Sequence, residues 1–327
     1  MPTSEPHPSR SDEGPAKAFE RQPVEPLVLA WRLAESLSDR NRRRLAFALL
    51  EGDGEGTISF RRDGIRWTAF TWDTYVSSTL FAEGSFHGAE LAAAVAWIAR
   101  HRIPGPDAVI VNVGAHIGTS AIPLARGSGC RVLAIEPEPE NFALLGQNVR
   151  DNGLDDRIAC VRLAIALARD RVELVLPRAN SGGPEVVPPG RPPSFLRTHP
   201  VRRVVDVPAA RLSAILDAQR ILPDTVPLVW SDTQGSEIDV IESAPPLWAA
   251  GVPLYTEFDP DVLGAHEATG AFVRAATAHF AGFAVDSALV ARGADVEVRP
   301  MAEFATACGS FARPTNVLLV PRPRAAR

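Results

Sequence analysis

Val111-Asn112-Val113-Gly114-Ala115-His116-Ile117-Gly118 decides how this chain is read. The apolar run Ala108–Val113 leads into it, and a segment of helical spacing reaching about Arg126 leads out. Strand, glycine turn and helix in that order open a parallel α/β sheet. Glycine lets the backbone turn sharply and approach a ligand closely, and the N–H groups at the start of the following helix face the same place. The spacing is G-x-x-x-G rather than the G-x-G-x-x-G of dinucleotide binders, which disfavours a nicotinamide oxidoreductase. Taken alone, a purely structural turn would read the same way.

The next elements change that balance. Arg131–Ile135 reads as a second strand that runs into Glu136-Pro137, and Pro139–Asn152 as a helix with Pro in its first turn and Gly153 just past its end. Ile158–Leu163 reads as a third strand. An acid at the carboxyl end of the strand beside a glycine loop lies where doubly wound sheets bind ligands, and can take both hydroxyls of a ribose. The plainer alternative is an exposed acid favoured by the dipole of the helix at Pro139. Loop and acid together point to a nucleoside-binding crevice.

Further on, Pro177–Pro200 is rich in Pro, Gly and Ser and reads as a long loop, of a kind that is usually functional or disordered. The strand and helix pattern resumes with Arg203–Val207, Ala210–Ala218, Pro227–Ser231, Val252–Glu257 and the helix Ala271–Ala281. Phe283–Val285 and Asn316–Val320 close the sheet. Upstream, Pro26–Glu51 has the spacing of one amphipathic helix. Asp63-Gly64 marks a hairpin, because both turn positions need positive φ. Helical patterns follow at Tyr75–Ala82 and Ala89–Arg100. The expected organisation is a disordered tail at 1–25, accessory helices and hairpin at 26–104, a doubly wound α/β domain at 105–322, and a short tail at 323–327.

Composition narrows the function classes. The chain has 327 residues, 46% hydrophobic and 22% charged, with a formal net charge of -5. That is ordinary for a globular protein and lacks the basic excess of a nucleic-acid binder. The one basic run, Arg40, Arg42, Arg43 and Arg44, lies on helical spacing and reads as a solvated helix face. Cys130, Cys160 and Cys308 have no partner at metal-site or disulfide-framework spacing and read as reduced thiols. The first 25 residues lack the apolar core of a signal peptide, and no membrane-length apolar run exists, so a cytoplasmic protein is expected.

On these motifs the chain resembles the FkbM family of S-adenosylmethionine-dependent methyltransferases. The blocks that carry the resemblance are Asn112–Gly118, then Glu136-Pro137 with Asn141-Phe142, Leu145, Asn148-Val149 and Asn152, then Asp232-Thr233-Gln234-Gly235-Ser236-Glu237. Glu257 follows after the next strand, and Leu80–Glu90 looks like the family's approach to the glycine loop. The likeness runs in order over roughly residues 57 to 320.

The resemblance implies a mostly parallel, seven-stranded Rossmann-like methyltransferase sheet. It also implies S-adenosylmethionine as methyl donor and a hydroxyl acceptor on a sugar or secondary metabolite. The cofactor residues it implies are Asn112, Gly114, Ala115, His116, Gly118, Glu136, Pro137, Asn141 and Ala164. At His116 the backbone alone could matter.

Two positions depart from the family pattern. Asn112 stands where an aspartate is usual, which removes a charge that would assist a bond to the cofactor's ammonium. Trp230 stands where a lysine often precedes the third block, and is a candidate wall of the acceptor pocket. These departures motivate a rival reading, a catalytically silent cofactor-binding module in a biosynthetic complex.

Methyl transfer needs in-line approach of a nucleophile, and a hydroxyl also benefits from a nearby base. Asp232 is expected as base or acceptor orienter, with Glu257 assisting. A divalent cation held by Asp232, Glu257 and Asp259 is compatible with Mg²⁺ chemistry but is not the favoured version. His199 and His266 read as loop histidines. Small-molecule or glycan acceptors are the expected partners, with no role for nucleic acid or membrane, and neither acceptor identity nor oligomeric state is encoded legibly.

Overall fold

Strands β1 (Thr57–Arg62) and β2 (Ile65–Phe70) pair in antiparallel register across Asp63-Gly64. Both turn residues hold positive φ, 49° and 76°, as a two-residue hairpin turn requires. The computed structural model describes residues 37–50, 56–101 and 105–322. The two expected tails and residues 26–36 and 51 of the expected Pro26–Glu51 helix lie outside them. Of the described part, Asp39–Ala48 is helical, with the Ser38 hydroxyl accepting from the Asn41 N–H. Its arginines lie along the surface, Arg40 and Arg44 pairing with Glu83 and Arg42 with Asp39.

The main sheet follows the expected alternation. Its strands are β3 (Val109–Val113), β4 (Arg131–Ile135), β5 (Ile158–Val161), β10 (Val229–Ser231), β11 (Leu254–Phe258), β12 (Phe280–Val285) and β14 (Thr315–Pro321). They lie in the order β12-β14-β11-β10-β3-β4-β5, with β13 (Arg299–Pro300) as a two-residue eighth strand outside β12. Strands β3, β4, β5, β10 and β11 are parallel, and β14 is antiparallel to both β11 and β12. The order reverses between β3 and β10, where two neighbouring connections leave in opposite directions and a crevice opens at the carboxyl ends.

Alternation on these strands feeds two cores. Val109, Val111, Val113, Leu133 and Ile135 pack with the helices Leu212–Ala218, Glu237–Ser243 and Thr269–His279. Ile110, Val132, Ala134 and Trp230 face the other way, into a core shared with Trp67 of β2 and with Leu91 and Trp97 of the helix Gly88–His101. The front segment is therefore packed directly on one sheet face. Asn148 and Asn152 on the helix Pro139–Asp151 fasten it. The Asn148 amide accepts from the Thr68 N–H at 2.7 Å and donates to the Thr68 and Ile117 carbonyls, while Asn152 brackets both backbone groups of Arg66. Two family-pattern asparagines thus act as a strand's edge for β2.

The region after β5 holds an element that the alternation did not anticipate. Strands β6 (Ala164–Ile165), β7 (Arg171–Pro177), β8 (Glu185–Val186) and β9 (Val201–Ala210) form a second sheet in the order β6-β9-β7-β8. The expected long loop therefore contains β8 and a 3₁₀ turn at Ser194–Arg197, and it bridges to Gln234 beside the crevice. Among the described residues, no helix is long and apolar enough to cross a membrane.

Candidate active site

A cavity of about 1130 Å³ opens where the sheet order reverses. Gly114 forms its floor with φ +76°, and a Cβ there would overlap the Asp232 carbonyl oxygen, so the β3 loop and the end of β10 touch through a glycine. The Gly114 and Ala115 N–H groups donate back to the Ile135 carbonyl, which curls the loop over β4. The helix itself begins only at Ala121, after a turn.

At the β4 end sits Glu136, almost wholly buried. Its carboxylate accepts the His116 N–H at 2.8 Å and the Glu138 N–H at 2.9 Å. Burial pushes its pKa up to about 7 against the pull of those donors. His116 holds φ +53°, unusual for a residue with a Cβ, and its Nε2 lies 2.8 Å from the Ser181 hydroxyl. Burial lowers its pKa to about 4, so the ring is neutral. Asn141 donates to the Ser181 carbonyl, and Glu138 accepts the Asn141 N–H while pairing with Arg203. Behind Ser181 lies Asp73, fully buried, which accepts from the Ser181 hydroxyl at 2.5 Å and from the Tyr75, Val76 and Ser77 N–H groups.

The opposite end is acidic. Asp232 ends β10, half-buried, with His87 Nε2 at 3.8 Å. Loss of solvent raises its pKa, opposed by His87. Glu257 on β11 accepts from the Gln234 amide at 2.9 Å, and burial together with the Asp232 charge pushes it to about 8. Glu237 is pushed to about 8 by burial while accepting from the Gly235 N–H and the Thr233 hydroxyl. The long loop covers this end: Glu185 accepts from Ser194 and lies 2.8 Å from His266 Nε2. Tyr75, Phe86, Phe195 and Leu196 give the wall an apolar share.

Of the residues expected from the sequence, Gly114, His116, Glu136, Pro137, Asn141, Ala164, Asp232 and Glu257 line this one cavity. Asn112, Ala115 and Gly118 do not. Asn112 is fully buried, accepts from the Ser120 hydroxyl at 2.9 Å and lies 3.4 Å from the Trp230 carbonyl. Strand alternation turns it to the side of Ile110 and Trp230, so its missing charge is not missing from the cavity wall. Trp230 is not a pocket wall either; it stacks on Tyr255 at 4.1 Å, in the same register row as Asn112 and inside the core.

Asp259, the third carboxylate of the cation version, accepts the Asp261 and Val262 N–H groups and so caps a helix. Among the described residues, no group of three or more His, Cys, Asp or Glu side chains is placed to hold a metal. His266 is a buried partner of Glu185 rather than a free loop side chain. The sequence reading missed Asp73, Ser181, His87 and Glu185. The only local sign was Asp73 four residues before Ser77 at a helix start, a common capping pattern.

Residues 112–276 match the model of the FkbM methyltransferase domain, half of the chain. The chain belongs to the FkbM methyltransferase family. Among solved structures, it is similar to a geranyl diphosphate C-methyltransferase from Streptomyces coelicolor, at 11% identity over 71% of this chain and 77% of that one, TM-score 0.37. It is also similar to TYW2 from M. jannaschii, at 14% identity over 82% and 85%, TM-score 0.39. An Agrobacterium tumefaciens protein described as a predicted O-methyltransferase has 15% identity over 72% and 81%, TM-score 0.38. No curated protein sequence matches the chain.

Proposed function

We propose that this chain transfers a methyl group from S-adenosylmethionine to a hydroxyl of a small-molecule acceptor, a secondary metabolite or a sugar. The observation that carries the reading is one cavity with a buried glutamate beside a glycine loop at one end and two strand-end carboxyls at the other. The ribose hydroxyls would bond Glu136, with Gly114, His116, Pro137, Asn141 and Ala164 around the nucleoside. The cofactor's sulfonium supplies the methyl group. Asp232 and Glu257 would face the acceptor. A Glu257 carboxyl pushed up to about 8 keeps its proton near neutral pH and would offer a donor beside Asp232, which suits orienting a hydroxyl and taking its proton.

Calorimetry with S-adenosylhomocysteine tests the first half, and absence of heat at millimolar ligand would remove it. Transfer of a labelled methyl group to a panel of hydroxylated metabolites and sugars tests the second. Binding without transfer would favour the silent module, but Asn112 and Trp230, which motivated that reading, are both buried away from the cavity.

A further inference from the structure

We propose that Asp73 and Ser181 are positioning residues for the cofactor. They hold the His116 imidazole as its Nε2–H tautomer, so that Nδ1 is presented as a hydrogen-bond acceptor for a hydroxyl or ammonium group of the nucleoside ligand. This rests on the reading that the β4 end of the cavity takes S-adenosylmethionine.

The direction of the hydrogen bonds fixes the tautomer. Asp73 receives three backbone N–H groups and the hydroxyls of Ser77 and Ser181, and so acts only as an acceptor. The Ser181 hydrogen therefore points at Asp73, 2.5 Å away, and its lone pair faces His116 Nε2 at 2.8 Å. Only a protonated Nε2 satisfies that contact. In a neutral ring Nδ1 is then bare. It has no protein partner among the described residues, and His116 lines the cavity.

The residue is held from both sides. Its backbone N–H bonds Glu136 while its ring bonds Ser181, and this maintains a left-handed φ that a side chain ordinarily avoids. The relay also draws three distant segments to one ring. Asp73 lies before the family-matched stretch, Ser181 lies in the long loop, and His116 lies in the glycine loop. The Asn141 amide clamps the Ser181 carbonyl, which keeps the middle link in place.

The test uses the full chain, S-adenosylhomocysteine and ¹⁵N-histidine spectra, with the His116 signals identified by their loss in His116→Asn. In the unmutated protein Nε2 should carry the proton, and adding S-adenosylhomocysteine should shift the Nδ1 resonance. A protonated Nδ1, or no shift on saturation, overturns the relay without needing any variant. Ser181→Ala should weaken S-adenosylhomocysteine by about tenfold and leave His116 as a mixture of tautomers. Asp73→Asn should turn the chain round, because an amide can donate to Ser181 and make Nδ1–H the major form. Affinity and tautomer both unchanged in Ser181→Ala would also overturn it. If the unmutated chain binds no S-adenosylhomocysteine, the cofactor reading itself falls. If it binds and the variants match it, only the relay falls.

Discussion

At the glycine-loop end of the cavity, the buried polar groups other than His116 Nδ1 hold defined partners. Glu136 takes two backbone N–H groups, His116 is tied at its nitrogen and its ring, and Asn141 reaches Ser181. At the strand-end side the carboxyls are less well met. Asp232 has a histidine at 3.8 Å, Glu257 has a single amide, and the Asp232 charge raises the cost of charging Glu257. Preorganised donors and acceptors suit a ligand whose shape does not change between reactions. Carboxyls in partial want of donors gain most from a ligand that brings hydrogen-bond donors, as an acceptor hydroxyl does. On the proposed function, the fixed end would take the cofactor and the tense end the acceptor.

The most severe way to break the contrast is to separate the two ends. Gly114→Ala puts a Cβ into the Asp232 carbonyl at a left-handed φ, and should cost more than about 4 kcal/mol, measured by urea unfolding. A variant as stable as the parent would mean the two loops do not touch. Next comes Asn148→Ala, which strands the Thr68 N–H and frees the Ile117 carbonyl of the glycine loop. A loss of about 2–4 kcal/mol is expected, together with weaker S-adenosylhomocysteine binding by calorimetry.

Acidity sharpens the comparison, because His116 is shifted opposite to Glu237 and Glu257, while Glu136 beside it is raised as they are. Glu237 and Glu257 have pKa values raised from 4.5 to about 8, so the folded state binds protons more tightly than the unfolded one. Their contribution is full below about pH 4.5 and is lost as pH rises toward about 8. His116 is depressed from 6.5 to about 4, so its contribution is full above 6.5 and is lost as pH falls toward 4. Thermal melts should therefore show Glu257→Gln flattening the alkaline slope and raising Tm by ~2–4 °C near pH 8, with labelled-methyl transfer reduced. His116→Asn should flatten only the acid slope; asparagine is chosen because it tolerates the left-handed region. Equal effects on both slopes would erase the distinction between the ends. Arg42→Ala, which breaks the exposed pair with Asp39, should leave Tm unchanged within error and so marks the floor of the scale.

How much of this was written in the chain differs by element. Sheet strands read correctly because they are buried on both faces and appear as unbroken apolar runs between glycine and proline. The strand expected at Arg203–Val207 is part of β9, but it belongs to the separate sheet with β7 and not to the main one. Arg171–Pro177 alternates like a half-buried strand, but its partner lies on the far side of a proline-rich loop, and pairing over that distance leaves no local mark. Asn112 was read as a site residue by its place in a motif, while its direction depended on strand alternation against β10.

What the sequence determined by itself is the order of elements, the glycine loop, and the acid after the second strand, since each follows from short-range conformational rules. Tertiary structure alone decided which side chains share the cavity. Asp73, Ser181 and His116 are 43 or more residues apart at successive links or at their ends, as are His87 and Asp232. A hydrogen bond acts over about 3 Å of space, and nothing in a residue's neighbours along the chain records which distant group will come within that reach.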